Sequence, residues 1–178
     1  TLTTTTPDGT TELVLTLRER VLADGSIWTQ VRLPMKGASP TGWVKRSALG
    51  KYHVIHSRLE IDRAAFTITL FENEVQTYKA SIAVGKRGYI TPTGNFYVRE
   101  RLSTTDPDGF YGPYAVGLSA YVDEKHSDWP GGSIVGIHGT DAPGAIPGRA
   151  TRSCIRLRNK AMRSLFKKLP AGTPVQIL

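Results

Sequence analysis

Apolar and polar residues alternate along most of this chain, and a helical spacing occurs once. In RLEIDRAAFTITLFENEVQTYKASIAVG, residues 58–85, Leu59 and Ile61, then Phe66, Ile68 and Leu70, then Ile82 and Val84 fall on every second position. A period of two places those side chains on one face of a strand, so the segment predicts a β-meander with one buried face. Turns are expected near Asp62-Arg63 and Glu72-Asn73, where the apolar pattern breaks. TPTGNFYVRER adds a turn at Pro92 and Gly94 and a new strand, and YAVGLSAYV and SIVGIHGT are further strands. NKAMRSLFKKL differs: Met162, Leu165, Phe166 and Leu169 line one side of a helix, Asn159 is placed to cap it, and Pro170 stops it. PVQIL supplies a last strand. The expected fold class is mainly β with one short helix.

The first fifty residues have a different texture. ELVLTLRERVL, SIWTQVRLP and TGWVKRSAL are short strand-like pieces separated by Asp24-Gly25 and by Gly37 to Pro40, as in part of a small β-barrel. Ahead of them, TLTTTTPDGTT has the composition of a linker cut from something longer. The pattern changes at Tyr52. The expected organisation is a linker over 1–10, a small β domain over 11–50 and a main domain over 52–178.

Composition narrows the partners. At 178 residues the chain has room for a real core, and no apolar run approaches the roughly 20 residues of a membrane helix. A single cysteine excludes an internal disulfide. The net charge of +8, from 23 basic and 15 acidic residues, suits polyanionic surroundings such as nucleic acid, an anionic membrane or an acidic cell-wall polymer. Nucleic acid would call for basic residues interleaved with aromatics and a reading motif. Neither occurs, so that partner is not expected. The basic excess is densest from Arg149 to Lys168, and Arg149, Arg152 and Arg156 flank the cysteine.

That cysteine, Cys154, lies sixteen positions after His138, across a loop rich in Gly and Pro. An unperturbed thiol has a pKa near 8.5, so only about 3% is thiolate at pH 7. A neighbouring imidazole raises that fraction and carries the proton to a leaving amine. Gly144, Gly148, Pro143 and Pro147 let the chain double back between the two. Residue types alone are equally compatible with a buried, inert cysteine beside a core histidine. His126, His138 and Cys154 lack the spacing of a zinc site, and no metal or cofactor is expected. His53 and His56 read as structural or solvated.

Motif order favours the nucleophile. HGT at 138–140, Gly148, CIRL at 154–157, TPTGNF upstream and LPAGTPVQI at the end together resemble the L,D-transpeptidases, the YkuD-like catalytic domain, over residues 52–178. GWVKRSAL, after the strand containing Trp28, resembles the end of a bacterial SH3-like module. The resemblance implies a β-sandwich-like catalytic domain preceded by a partial SH3-like domain. It implies an enzyme that joins peptidoglycan stems by 3→3 crosslinks through a Cys154 thioester, releasing D-Ala from a tetrapeptide donor to an amine acceptor. His138 is then the base and the Gly139 carbonyl orients it. Arg156 packs the site or holds a substrate carboxylate; Arg152, Thr140, Thr151, Ser153, Tyr111 and Trp129 are further candidates to meet substrate. Backbone N–H groups near Ser153 and Cys154 are the candidate oxyanion donors.

The loop from Leu102 to Gly132 falls where the family has a lid. Phe110, Tyr111, Tyr114, Tyr121 and Trp129 are candidates to line the cleft, and Asp123, Glu124 and Asp128 to meet an amine. Hydrolysis, protein anchoring, or wall binding by a decayed site would use the same residues. Carbapenem β-lactams are the implied inhibitors. An extracytoplasmic location is implied, in cell wall or periplasm, with a signal peptide or membrane anchor in the full-length protein. The sequence departs from the family's Ser-His-Gly-Cys: Thr151-Arg152-Ser153-Cys154 puts Arg for His and Ser for Gly. If that glycine sits at positive φ, Ser153 carries strain.

Overall fold

The computed structural model describes residues 3–127, 129 and 132–178. β1 (Thr16–Val21), β2 (Ile27–Arg32) and β4 (Thr41–Lys45) form a three-stranded antiparallel sheet. β3 (Met35–Lys36) leaves it and pairs in parallel with residues 120–121 of the main sheet. Three strands cannot close a barrel, and β1 is exposed along its length. No separate SH3-like unit is delineated, which corrects that expectation. Residues 3–13 also fold onto the main sheet. Thr6 is buried, Glu12 forms an ion pair with Arg99 in which both side chains are almost wholly buried, and the Tyr97 hydroxyl donates to Leu13 O at 2.8 Å.

The alternating segments form the strands expected of them. β5 (Ser57–Asp62), β6 (Thr67–Glu72) and β7 (Val75–Ser81) make the meander. β8 (Ala83–Gly85), β9 (Gly94–Ser103), β10 (Tyr114–Tyr121) and β11 (Ile134–His138) follow. β12 (Gly148–Thr151), β13 (Ile155–Arg156), helix α1 (Asn159–Lys168) and β14 (Pro174–Ile177) complete the chain. Among the described residues one sheet of eleven strands runs β12-β8-β13-β11-β10-β9-β14-β5-β6-β7, with β3 beside β10. It curls into a half-barrel, so Leu59, Ile61 and Ile68 on one limb share a core with Val116, Leu118 and Ile137 on the other. Met162 and Leu165 of α1 close that core, and Phe166 stacks on Tyr114 at 4.1 Å.

The opposite face of β9, β10, β11 and β13 carries the polar chemistry. A bulge in β9 sets this up: Val98 opposes Leu118, but Glu100 opposes Gly117, leaving Arg99 as the extra residue. The extra residue shifts the inward-outward alternation, so Glu100 and Leu102 turn away from the core that Val98 faces. Two ladder rows then cross this face. One runs Leu102, Ala115, His138, Arg156; the adjacent one runs Glu100, Gly117, Gly136 and, just before β13, Cys154.

Candidate active site

His138 ends β11, and parallel β13 opens directly after Cys154. The register Ile137↔Ile155 and His138↔Arg156 fixes the remainder, because side chains alternate along a strand. His138 and Cys154 emerge on one face, one pleat apart. Gly136 lies between them on β11, and its N–H donates to Cys154 Sγ at 3.4 Å.

His138 is fully buried. Its Nδ1 lies 2.7 Å from the Gly139 carbonyl. A carbonyl only accepts, so Nδ1 carries the proton and Nε2 presents the basic lone pair. Nε2 has no hydrogen-bond partner. Burial first, then the Arg156 guanidinium, pushes the imidazole pKa down to about 3, against the smaller opposing effect of the Gly139 bond. The ring is therefore neutral at rest.

A lid covers the pair. Phe110 stacks on His138 with centroids 5.7 Å apart, and Tyr111 meets it edge-on at 4.9 Å. Arg156, half-buried, lies 4.3 Å from the Phe110 ring centroid. The Trp129 ring occupies the space where a Cβ on Gly136 would stand, beside the sulfur's neighbour. Gly136 is what admits the indole.

Cys154, His138, Gly139, Arg156, Tyr111 and Trp129 thus converge. The other candidates are placed differently. Thr151 donates to Cys154 O at 2.6 Å and holds the turn that presents the thiol. Thr140 accepts from Ala142 N at 3.0 Å, and Ser153 donates to Ile90 O at 3.1 Å. All three are buried, with these hydrogen bonds made inside the protein. Arg152 is exposed and reaches over Tyr89. Ser153 N–H donates to Tyr89 O at 3.1 Å, which removes it as an oxyanion donor. Tyr114 belongs to the core side with Phe166, and Tyr121 accepts from Arg99 at 2.6 Å. Asp123 pairs with Lys36 at 2.6 Å, while Asp128 and the Glu124 side chain lie outside the described residues.

Ser153 has φ +71°. A left-handed backbone costs a residue with a Cβ about 1–2 kcal/mol. Ser153→Gly relieves that cost and loses one hydrogen bond, whereas Ser153→Ala loses the bond and keeps the strain. The glycine variant should unfold at a higher denaturant midpoint than the alanine variant, by about 1 kcal/mol. Equal midpoints would show the conformation to be free of cost.

Asn159 is the residue that the sequence misassigned. It is the first residue of α1, with Arg158 at the cap position and no side-chain cap. Its Oδ1 instead accepts from Thr140 N at 2.7 Å, and its Nδ2 donates to Pro107 O at 3.4 Å. A Cβ on Gly112 or on Gly139 would collide with Oδ1. The amide thus clamps the histidine loop to the lid. Asn159→Ala leaves the Thr140 N–H without its acceptor, and a loss of about 1–3 kcal/mol is expected in equilibrium unfolding. Asn159→Asp keeps the acceptor and should recover most of it.

Residues 56–177 match the YkuD family, the L,D-transpeptidase catalytic domain. The chain belongs to this family. A putative L,D-transpeptidase YkuD of Bacillus subtilis (strain 168) is 35% identical over 122 residues, covering 68% of this chain and 65% of that protein. A probable L,D-transpeptidase YbiS of Escherichia coli (strain K12) is 45% identical over 96 residues, 49% of this chain and 27% of that protein. An L,D-transpeptidase from Mycobacterium smegmatis superposes with TM-score 0.55 at 15% identity, covering 92% of this chain and 77% of that one. A mutant L,D-transpeptidase of Enterococcus faecium gives 0.54 at 23% identity, covering 70% and 50%. At such identities the likeness is one of fold. The YkuD match contains His138, Gly139 and Cys154, and residues 3–55 fall outside it.

Proposed function

We propose that this YkuD-family chain is a cysteine acyltransferase that crosslinks peptidoglycan stem peptides. The observation that carries the reading is the pair of adjacent ladder rows presenting Cys154 and His138 on one face, with Nδ1 held by Gly139 O and Nε2 unpartnered. In this reading the Cys154 thiol gives its proton to Nε2 as Sγ attacks the carbonyl of the third, L-centred residue of a tetrapeptide stem. The amide of Cys154 itself is the proposed oxyanion donor. The C–N bond to terminal D-Ala breaks, Nε2 returns the proton to the departing amine, and a thioester remains. A side-chain amine of a second stem attacks that thioester, passes a proton to Nε2 and expels sulfur, leaving a 3→3 crosslink. Water in place of the amine gives a tripeptide.

Cys154 and His138 are both shielded from solvent, so entry of substrate requires Phe110 and Tyr111 to move aside. The same thiol is the proposed target of carbapenems, and an extracytoplasmic site of action follows from the substrate. Mass spectrometry of the protein incubated with a disaccharide-tetrapeptide tests the reading. Loss of D-Ala with formation of a crosslinked dimer is expected. Loss of D-Ala giving only tripeptide would convert the assignment to a carboxypeptidase, and an unchanged substrate would refute both.

A further inference from the structure

The row that ends at Cys154 begins at a group that the mechanism does not use. Glu100 is 2% exposed, and the polar groups against its carboxyl are the side chains of Thr6 and Asp8. The carboxyl lies over Gly117, where a Cβ would come within 2.6 Å of Oε1. Burial raises its pKa, and the neighbouring Asp8 adds to the rise. Thr6 and Asp8 stand beside it. Both belong to the turn Thr6-Pro7-Asp8-Gly9, closed by Gly9 N–H to Thr6 O at 3.0 Å with Gly9 at φ +79°.

This turn presents Asp8 at the mouth of a cavity of about 280 Å³, walled by Leu102, Thr104, Tyr111, Ala115 and Trp129. Asp8 accepts from Trp129 Nε1 at 3.3 Å. The walls are shared with the catalytic pair: Tyr111 abuts His138, Ala115 opposes it, and Trp129 covers Gly136. The charge is one-sided. Asp8 and Glu100 lie against each other, and Arg99 beside Glu100 is already held by Glu12 in an ion pair. In a chain of net charge +8, this is a place for a cation.

The reach fits a substrate side chain. β13, which follows Cys154, and β10, which supplies the cavity wall at Ala115, are two strand spacings apart across β11, about 10 Å. Five or six carbon–carbon bonds in extended form span about 7 Å, and a charge-assisted hydrogen bond adds about 2.8 Å. We propose that this cavity is a subsite for a primary ammonium on a short aliphatic side chain of the donor peptide, held by Asp8 between Trp129 and Tyr111 with Glu100 behind. The inference rests on the reading of the chain as acting on a stem with a diamino acid in third position. An ammonium held there stays protonated and distant from sulfur, so it belongs to the donor and is not the attacking amine. Thr6 and Asp8 lie outside the matched family region, which makes the subsite a feature of this chain's N-terminal segment.

Calorimetric binding to the Cys154→Ala protein tests it. The ligands are a disaccharide-tetrapeptide with a free third-residue amine and the same molecule acetylated on that amine. The free amine is expected to bind about tenfold tighter, and Asp8→Asn in the same background should remove the difference. Equal binding of the two ligands, or a difference that survives Asp8→Asn, overturns the subsite. Turnover by the otherwise unaltered protein separates the two ideas. No D-Ala release despite discriminating binding would sink the transferase reading and leave the subsite standing. An Asp8→Asn effect confined to dimer formation, with D-Ala release unchanged, would overturn the donor assignment.

Discussion

Alanine at Cys154 is expected to abolish D-Ala release, and glutamine at His138 to slow it by about 10²- to 10⁴-fold. The two losses differ because the two groups do different work. In the proposed mechanism sulfur forms the bond, and nothing else among the described residues stands in its place. The imidazole, in the same proposal, moves a proton that solvent and other groups move poorly. His138 is held neutral, since burial and Arg156 both oppose the imidazolium. A resting thiolate–imidazolium ion pair is therefore disfavoured, and the proton should cross to Nε2 as sulfur attacks. The His138→Gln variant should lose kcat with little change in KM, because Nε2 acts where a proton moves in the chemical steps and not in holding the ground-state substrate. Unfolding curves of the variants separate this effect from loss of structure. Residual turnover within tenfold of the unsubstituted protein in Cys154→Ala would remove the thiol from the mechanism.

Much of this arrangement was legible in the sequence. Period-two spacing located β5 and β6, each with one face on the shared core, and its last pair, Ile82 and Val84, falls at β8 and not in β7. The spacing of Met162, Leu165, Phe166 and Leu169 located the helix. HGT and CIRL pointed to the pair that the parallel register then brings to one face. Other features were hidden for physical reasons. β13 has only two residues, so it shows no alternation to read. The bulge at Arg99 reverses the pattern within β9, so Glu100 carries no sign in the sequence of facing the site. Asn159 looked like a cap because side-chain amides cap helices, whereas the close approach of Gly112 and Gly139 draws it sideways. Asp8 sits in a stretch whose composition reads as linker, and only the folded chain brings it to the cavity.

The same buried imidazole should govern stability in acid. His138 has a folded pKa of about 3 and an unfolded value near 6.5. Between those values the unfolded chain binds the proton and the folded chain does not. Folding stability then rises with pH, by about 1.4 kcal/mol per pH unit per proton. Acidification from pH 7.5 to 5 should remove about 2 kcal/mol through this one group, and the loss should continue towards pH 3. Glu100 works in the opposite sense: its raised folded pKa means it takes up a proton on folding, so its contribution weakens as pH rises through that window. The clean measurement is a difference. Denaturant unfolding of the unsubstituted protein and of His138→Gln at pH 7.5, 6.5, 5.5 and 5 cancels Glu100 and the other carboxyls common to both. The gap between the two proteins should change by about 2 kcal/mol across the series, with the histidine protein losing more as pH falls. A constant gap would mean that His138 protonates as readily folded as unfolded. Its ring would then be reached by water beneath the Phe110–Tyr111 lid, and the proton transfer to Nε2 would have to be reconsidered as an ion-pair mechanism.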